Sequence, residues 1–170
     1  MSFDPESPAR VDVQPSTYNL LFVCTGNTCR SPLAAALARH GIERRGWTHV
    51  RVQSAGVSTV PGAPASDGAL TVAQEQGLEL AAHRSQSLST ELIAWADLIL
   101  GMGPSHIVGV AELGGAEKTA LVTDFLDDDA LGTAIEDPFG GEVEQYRETY
   151  EQLEHAVEGL LTRLEPILAP

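Results

Sequence analysis

Residues 18–33 read YNLLFVCTGNTCRSPL: an unbroken apolar run that ends in a cysteine, a short polar turn, a second cysteine, then arginine, serine and proline. The run at 18–24 predicts a strand buried on both faces. The alanine- and leucine-rich stretch 31–42 predicts a helix, with Pro32 suited to its first position. A strand passing straight into a helix is the opening unit of an α/β fold, and the rest of the chain repeats it. HVRVQS (49–54) alternates as a strand, and 66–77 reads as a helix opened by Ser66 and closed by Gly77. A short helix over 89–96 has Ser89 as its cap, DLILGM (97–102) is a buried strand, and 104–113 is a helix stopped by Gly114. TALVTDF (119–125) completes a set of four strands. Val143, Tyr146, Tyr150, Leu153, Val157, Leu160 and Leu164 fall at helical spacing, so a long amphipathic helix is expected to end near Pro166. Strands alternating with helices predict an α/β sandwich around a parallel sheet. Such sheets bind ligands at the carboxyl ends of their strands, which is where Cys24 lies.

The 170 residues suit one domain over 18–170, preceded by a Pro-, Ser- and charge-rich lead-in at 1–17 that reads as flexible. The lead-in lacks the apolar core of a secretory signal and no run is long enough to span a bilayer, so a cytoplasmic address is the expectation, with a monomer assumed. A net charge of −14, with one lysine among ten basic residues, argues against nucleic acid and anionic membranes as partners. Two cysteines are too few for a disulfide scaffold, and the five histidines show no ligand spacing, so no metal site is expected.

The turn itself has the parts of an anion cradle. Gly26 offers unusual backbone conformations, successive N–H groups can converge into a nest, and the following helix adds its positive end. Arg30 supplies a fork that matches two phosphate oxygens. A Cys24 thiolate at the centre would be a nucleophile toward a phosphoryl group. The competing reading is a buried, inert cysteine with an arginine satisfying a helix end.

CTGNTCRSPLA, together with SAG at 54–56 and DPFGG at 137–141, resembles the low-molecular-weight protein tyrosine phosphatase family, in order from about residue 18 to 165. The resemblance implies a three-layer sandwich with a four-stranded parallel sheet flanked by helices, phosphorylated protein substrates, and no metal or organic cofactor. It also implies roles. Cys24 matches the nucleophile and Arg30 the phosphate clamp, within a binding loop formed by Thr25, Gly26, Asn27, Thr28, Cys29, Arg30 and Ser31. Asn27 matches the residue that holds the loop's shape, Ser31 the hydroxyl on the nucleophile, Asp137 the general acid, and Ser54 a support of the loop. Cys29 matches a resolving thiol that would trap oxidised Cys24 as a disulfide; its plain alternative is a small buried side chain.

Specificity rests on Thr28 and Phe139. Tyrosine-directed members pair two aromatics after Asp-Pro and carry another in the loop after the second strand. Here Phe139 is followed by Gly140 and Gly141, and 57–68 has no aromatic. Threonine at 28, in place of an aliphatic, resembles the protein arginine phosphatase branch and offers a polar wall to a guanidinium. Phosphoarginine is therefore the expected substrate group, with phosphotyrosine as the alternative. Thioredoxin-linked arsenate reductases resemble the loop but need later cysteines, which this chain lacks. A phosphate-binding or redox-sensing module without turnover is the non-enzymatic alternative, disfavoured by Ser31 and Asp137. His83 and His106 read as capping or surface groups, DDD at 127–129 as a solvated loop, and Trp95, Tyr146 and Tyr150 as helix faces packed on the sheet.

Overall fold

A computed structural model describes residues 16–126 and 133–169. The DDD stretch and residues 1–15 of the expected lead-in lie outside the described residues. Four parallel strands form the sheet, in the order β2-β1-β3-β4. They are β1 (Tyr18–Cys24), β2 (Val50–Gly56), β3 (Leu98–Gly101) and β4 (Thr119–Leu121). The helices are α1 (Arg30–Arg45), α2 (Asp67–Glu75), α3 (Thr90–Trp95), α4 (Pro104–Glu112) and α5 (Val143–Leu168).

The period of two along β1 builds both cores. Leu20, Phe22 and Cys24 face one layer with α1, α2 and α5; Leu21 and Val23 face the other, with Ile93 and Val110 from α3 and α4. All four residues Leu20–Val23 are fully buried, which the apolar run foretold. The chain moves from β1 outward to β2, then returns to place β3 on the other flank of β1. Cys24 thus ends the strand at which the order reverses, the ligand crevice of an open α/β sheet.

Several boundaries differ from expectation. α1 starts at Arg30, putting Pro32 third, where its missing N–H still falls among those left free in a first turn. It also continues to Arg45 and stops at Gly46, whose φ is +71°. α2 spans only Asp67–Glu75, and Gly77 lies beyond it in a left-handed conformation. β4 stops at Leu121; Val122–Phe125 is a 3₁₀ turn in which the Asp124 carboxylate accepts from Leu121 N–H at 3.3 Å. α5 runs through Pro166 to Leu168, because burying Leu164 and Leu168 offsets one missing backbone hydrogen bond in the final turn. Ser89 caps α3 as expected, accepting from Leu92 N–H at 3.2 Å. Among the described residues, no helix is long and apolar enough to cross a membrane.

Candidate active site

Between β1 and α1 the backbone turns its carbonyls outward. Cys24 O accepts from Val57 N–H at 3.0 Å, Thr25 O from Ser58 N–H at 3.0 Å, and Gly26 O from the Thr59 hydroxyl. Asn27 O accepts from His83 Nε2 at 2.7 Å, and Thr28 O from Ser66 N–H at 2.9 Å and its hydroxyl at 3.2 Å. With the carbonyls tied to the scaffold, the N–H groups of Thr25 to Arg30 point the other way. Among the described residues none of these six has an acceptor. That is a cradle of converging donors at a helix N-terminus, an arrangement suited to an anion.

Asn27 holds this shape. It is the one described non-glycine residue with positive φ, at +57°. Its amide nitrogen donates to Ser31 Oγ at 2.8 Å and Ser54 Oγ at 2.9 Å, and its Oδ1 accepts from Gln86 N–H at 2.9 Å. A fully satisfied amide over-determines a left-handed conformation that asparagine tolerates better than most residues. Gly26, expected to supply the unusual backbone, has no positive φ, and a Cβ there would meet only Thr28 Oγ1 at 3.7 Å. The indispensable glycine is Gly56 of SAG. A Cβ on it would strike Thr25 O at 2.5 Å and Asn27 N at 3.0 Å, so the loop lies directly on its backbone.

The two cysteines are free and buried, each engaged by hydroxyls. Cys24 Sγ lies 2.8 Å from Ser31 Oγ. Asn27 donates to that oxygen, and the serine keeps its own proton available for the sulfur, where it would stabilise a thiolate. Cys29 Sγ lies 3.2 Å from Ser66 Oγ and 3.5 Å from the Tyr146 hydroxyl. Burial first, and then Cys29, push the Tyr146 phenol up to about 12, so it stays protonated. Tyr146 is therefore more than a packing residue. Trp95 is partly buried against the second core.

Arg30, the first residue of α1, is 6 % exposed. Its Nη1 donates to Ile135 O at 3.0 Å and its Nη2 to Thr25 Oγ1 at 3.3 Å, while its Nε is buried with no partner. Asp137 is brought to the same group from far along the chain: its Oδ2 stands 3.5 Å from Arg30 Nη2. The connection is made by Ile135, whose N–H bonds Met102 O at 2.8 Å while its carbonyl receives Arg30. The Asp137 side chain is 48 % exposed, and its other oxygen accepts from Phe139 N–H at 3.1 Å. Phe139 is 71 % exposed. The Thr28 hydroxyl does not bond a loop amide; its partner is Cys29 Sγ at 3.7 Å.

Both histidines read as capping or surface groups turn out to brace the loop. His83 must carry its proton on Nε2, because the Asn27 carbonyl can only accept. Burial outweighs that hydrogen bond and, with Arg39 and Arg84 nearby, lowers its pKa. His106 is 2 % exposed, and its Nε2 lies 3.0 Å from Thr25 Oγ1. Burial, and secondarily the Arg30 charge, lowers its pKa from 6.5 to about 4. The unfolded chain therefore binds more protons between those values, so this contribution to stability is complete above pH 6.5 and is lost as pH falls toward 4. Urea unfolding of the native protein, compared with His106→Gln, is expected to show an extra loss of about 2 kcal/mol between pH 7 and pH 5. Parallel pH profiles for the two proteins would refute it.

The model of the low molecular weight phosphotyrosine protein phosphatase family matches residues 19–167. The chain belongs to this family. Like other low-molecular-weight phosphatases, it is a cysteine-dependent protein phosphatase. It is 42% identical over 150 residues to a protein-arginine-phosphatase of Geobacillus stearothermophilus, covering 87% of this chain and 97% of that one. It is 33% identical over 148 residues to the low molecular weight protein-tyrosine-phosphatase Etp of Escherichia coli, covering 86% and 94%. Among solved structures, the YwlE arginine phosphatase from Geobacillus stearothermophilus superposes with a TM-score of 0.79 at 40% identity, over 88% of this phosphatase and 94% of that chain.

Proposed function

We propose that this phosphatase removes the phosphoryl group from phosphoarginine in proteins, through a phosphocysteine on Cys24. The observation that carries the chemistry is the inverted loop: six unpaired N–H groups, an Arg30 Nε with no partner, and a Cys24 sulfur in hydrogen-bond reach of the Ser31 hydroxyl. In this reading the Cys24 thiolate attacks phosphorus, the S–P bond forms and the P–N bond breaks. The loop amides and Arg30 hold the equatorial oxygens through the transition state. Protonated Asp137 gives its proton to the departing guanidine nitrogen. As a carboxylate it then takes a proton from the water that attacks the phosphocysteine, releasing phosphate and the thiolate. Cys29 has the resolving role, capturing oxidised Cys24 as a disulfide.

Support for phosphoarginine comes from the rim. Thr28 puts a hydroxyl beside Cys29 and the cradle where an aliphatic wall would favour a phenyl ring, and its oxygen is free of the loop amides. Phe139 is exposed and is followed by two glycines instead of a second aromatic, so a phenyl ring would find little stacking surface. The relative that is 42% identical bears the name of an arginine phosphatase. The test is kcat/KM on matched phosphoarginine and phosphotyrosine peptides for native protein and Thr28→Ile. Native preference for phosphoarginine is expected to fall by about 100-fold in the variant, or reverse, since an isoleucine cannot meet a guanidinium's donors. Phosphotyrosine turnover without phosphoarginine activity in the native protein would assign it to the tyrosine-directed group instead.

A further inference from the structure

Two side chains meet at the Thr25 hydroxyl. Arg30 Nη2 donates to Thr25 Oγ1 at 3.3 Å, and His106 Nε2 lies 3.0 Å from the same oxygen. Thr25 is itself exposed, so nothing in its own packing fixes the hydroxyl. His106 can. It is 2 % exposed, and it enters from the first turn of α4, where its N–H bonds Gly103 O at 3.0 Å.

The tautomer decides what this contact does. His106 Nδ1 is buried with no partner. If Nδ1 carried the proton, an N–H donor would be stranded in the interior; if Nε2 carries it, only a lone pair is. Orphaned buried N–H groups are the rarer and costlier case. With the proton on Nε2, both histidine and arginine donate to Thr25 Oγ1 and use its two acceptor sites, leaving the hydroxyl's own proton uncommitted. The depressed pKa keeps the ring neutral, so it adds no third charge next to Arg30 and Asp137.

We propose that His106 is a positioning residue for the phosphate clamp: through Thr25 it fixes one end of the Arg30 guanidinium, and it turns the Thr25 hydroxyl proton toward a bound anion. Ile135 O holds the other end through Nη1. The guanidinium is thus set between a rigid backbone acceptor and a side chain that has been oriented for it. The inference deepens the proposed function and rests on the loop binding a phosphoryl group, but not on which substrate carries it.

The test uses binding, which needs no turnover. Orthophosphate affinity is measured by calorimetry for native protein, Thr25→Val, Thr25→Ser, His106→Phe, His106→Gln and the Thr25→Val/His106→Phe pair, with melting temperatures alongside. Thr25→Val and His106→Phe are each expected to weaken phosphate binding about 10-fold, the scale of a charge-assisted hydrogen bond. Thr25→Ser, and His106→Gln through its amide N–H, are expected to recover to within about 3-fold. The pair should bind no more weakly than Thr25→Val alone, because one chain of contacts is cut once. Nitrogen NMR should find His106 protonated on Nε2. Multiplicative losses in the pair, or a proton on Nδ1, would overturn the proposal, and the tautomer found by nitrogen NMR on the native protein still decides it if His106→Phe fails to fold. A native protein that binds no phosphate at all would instead bring down the cradle reading, and this inference with it.

Discussion

Replacing Cys24 with serine is expected to lower turnover of phosphoarginine peptide or p-nitrophenyl phosphate by at least about 10⁴-fold, with orthophosphate still bound. The two halves of that expectation have different origins. Turnover is lost because a neutral alcohol replaces the one strong nucleophile in the cradle. Binding survives because the cradle is made by others: its shape is held at Cys24 O, Thr25 O, Gly26 O, Asn27 O and Thr28 O, and serine keeps the first of these. Steady-state rates and calorimetry on the same preparation check both. Activity within 100-fold of native would show that another group attacks phosphorus. The variant also tests the resolving thiol. Peroxide-treated native protein should lose two hydrogens in intact mass as Cys24 and Cys29 join, and the serine variant should lose none.

Arg30→Lys is expected to cost about 10³-fold in kcat/KM although the charge is kept. Arginine is attached at Ile135 O and at Thr25 Oγ1 and still has Nε to spare for a ligand. An ammonium cannot span the two anchors and also present a planar fork. The anchor at Ile135 matters twice, because that residue is also how the segment bearing Asp137 is fastened to the end of β3. The loss should therefore appear in kcat for substrates that need a proton on the leaving group, beyond the rise in KM. A variant with unchanged kcat and only a raised KM would confine Arg30 to ground-state binding.

The parts of this site that lie within one strand–turn–helix are legible in the sequence. The apolar run to Cys24 could only be an inner strand, and the motif that follows names its own chemistry. Asp137 was reachable through DPF, although its approach to Arg30 depends on Ile135, and nothing local marks Ile135 as a fastener. The bracing contacts of His83 and His106 are unmarked in the sequence for the same reason. Each stands alone in sequence, and its partner is a carbonyl or hydroxyl dozens of residues earlier. Asn27 rather than Gly26 takes the left-handed conformation because four contacts from three segments enforce it. The early end of β4 has a different cause. VTDF alternates like a strand, and only the Asp124 side chain folding back onto Leu121 N–H makes it turn.

Gly56 carries a consequence for anyone who would move this chemistry elsewhere. Grafting CTGNTCRS between a strand and a helix of another protein would transplant the sulfur and the guanidinium, but not the shape. The neighbouring strand must offer a bare backbone on which the loop can lie, as Gly56 does beneath Thr25 and Asn27. The host would also need donors waiting for each of five carbonyls. The portable unit is not an octapeptide but a strand pair with its surrounding loops.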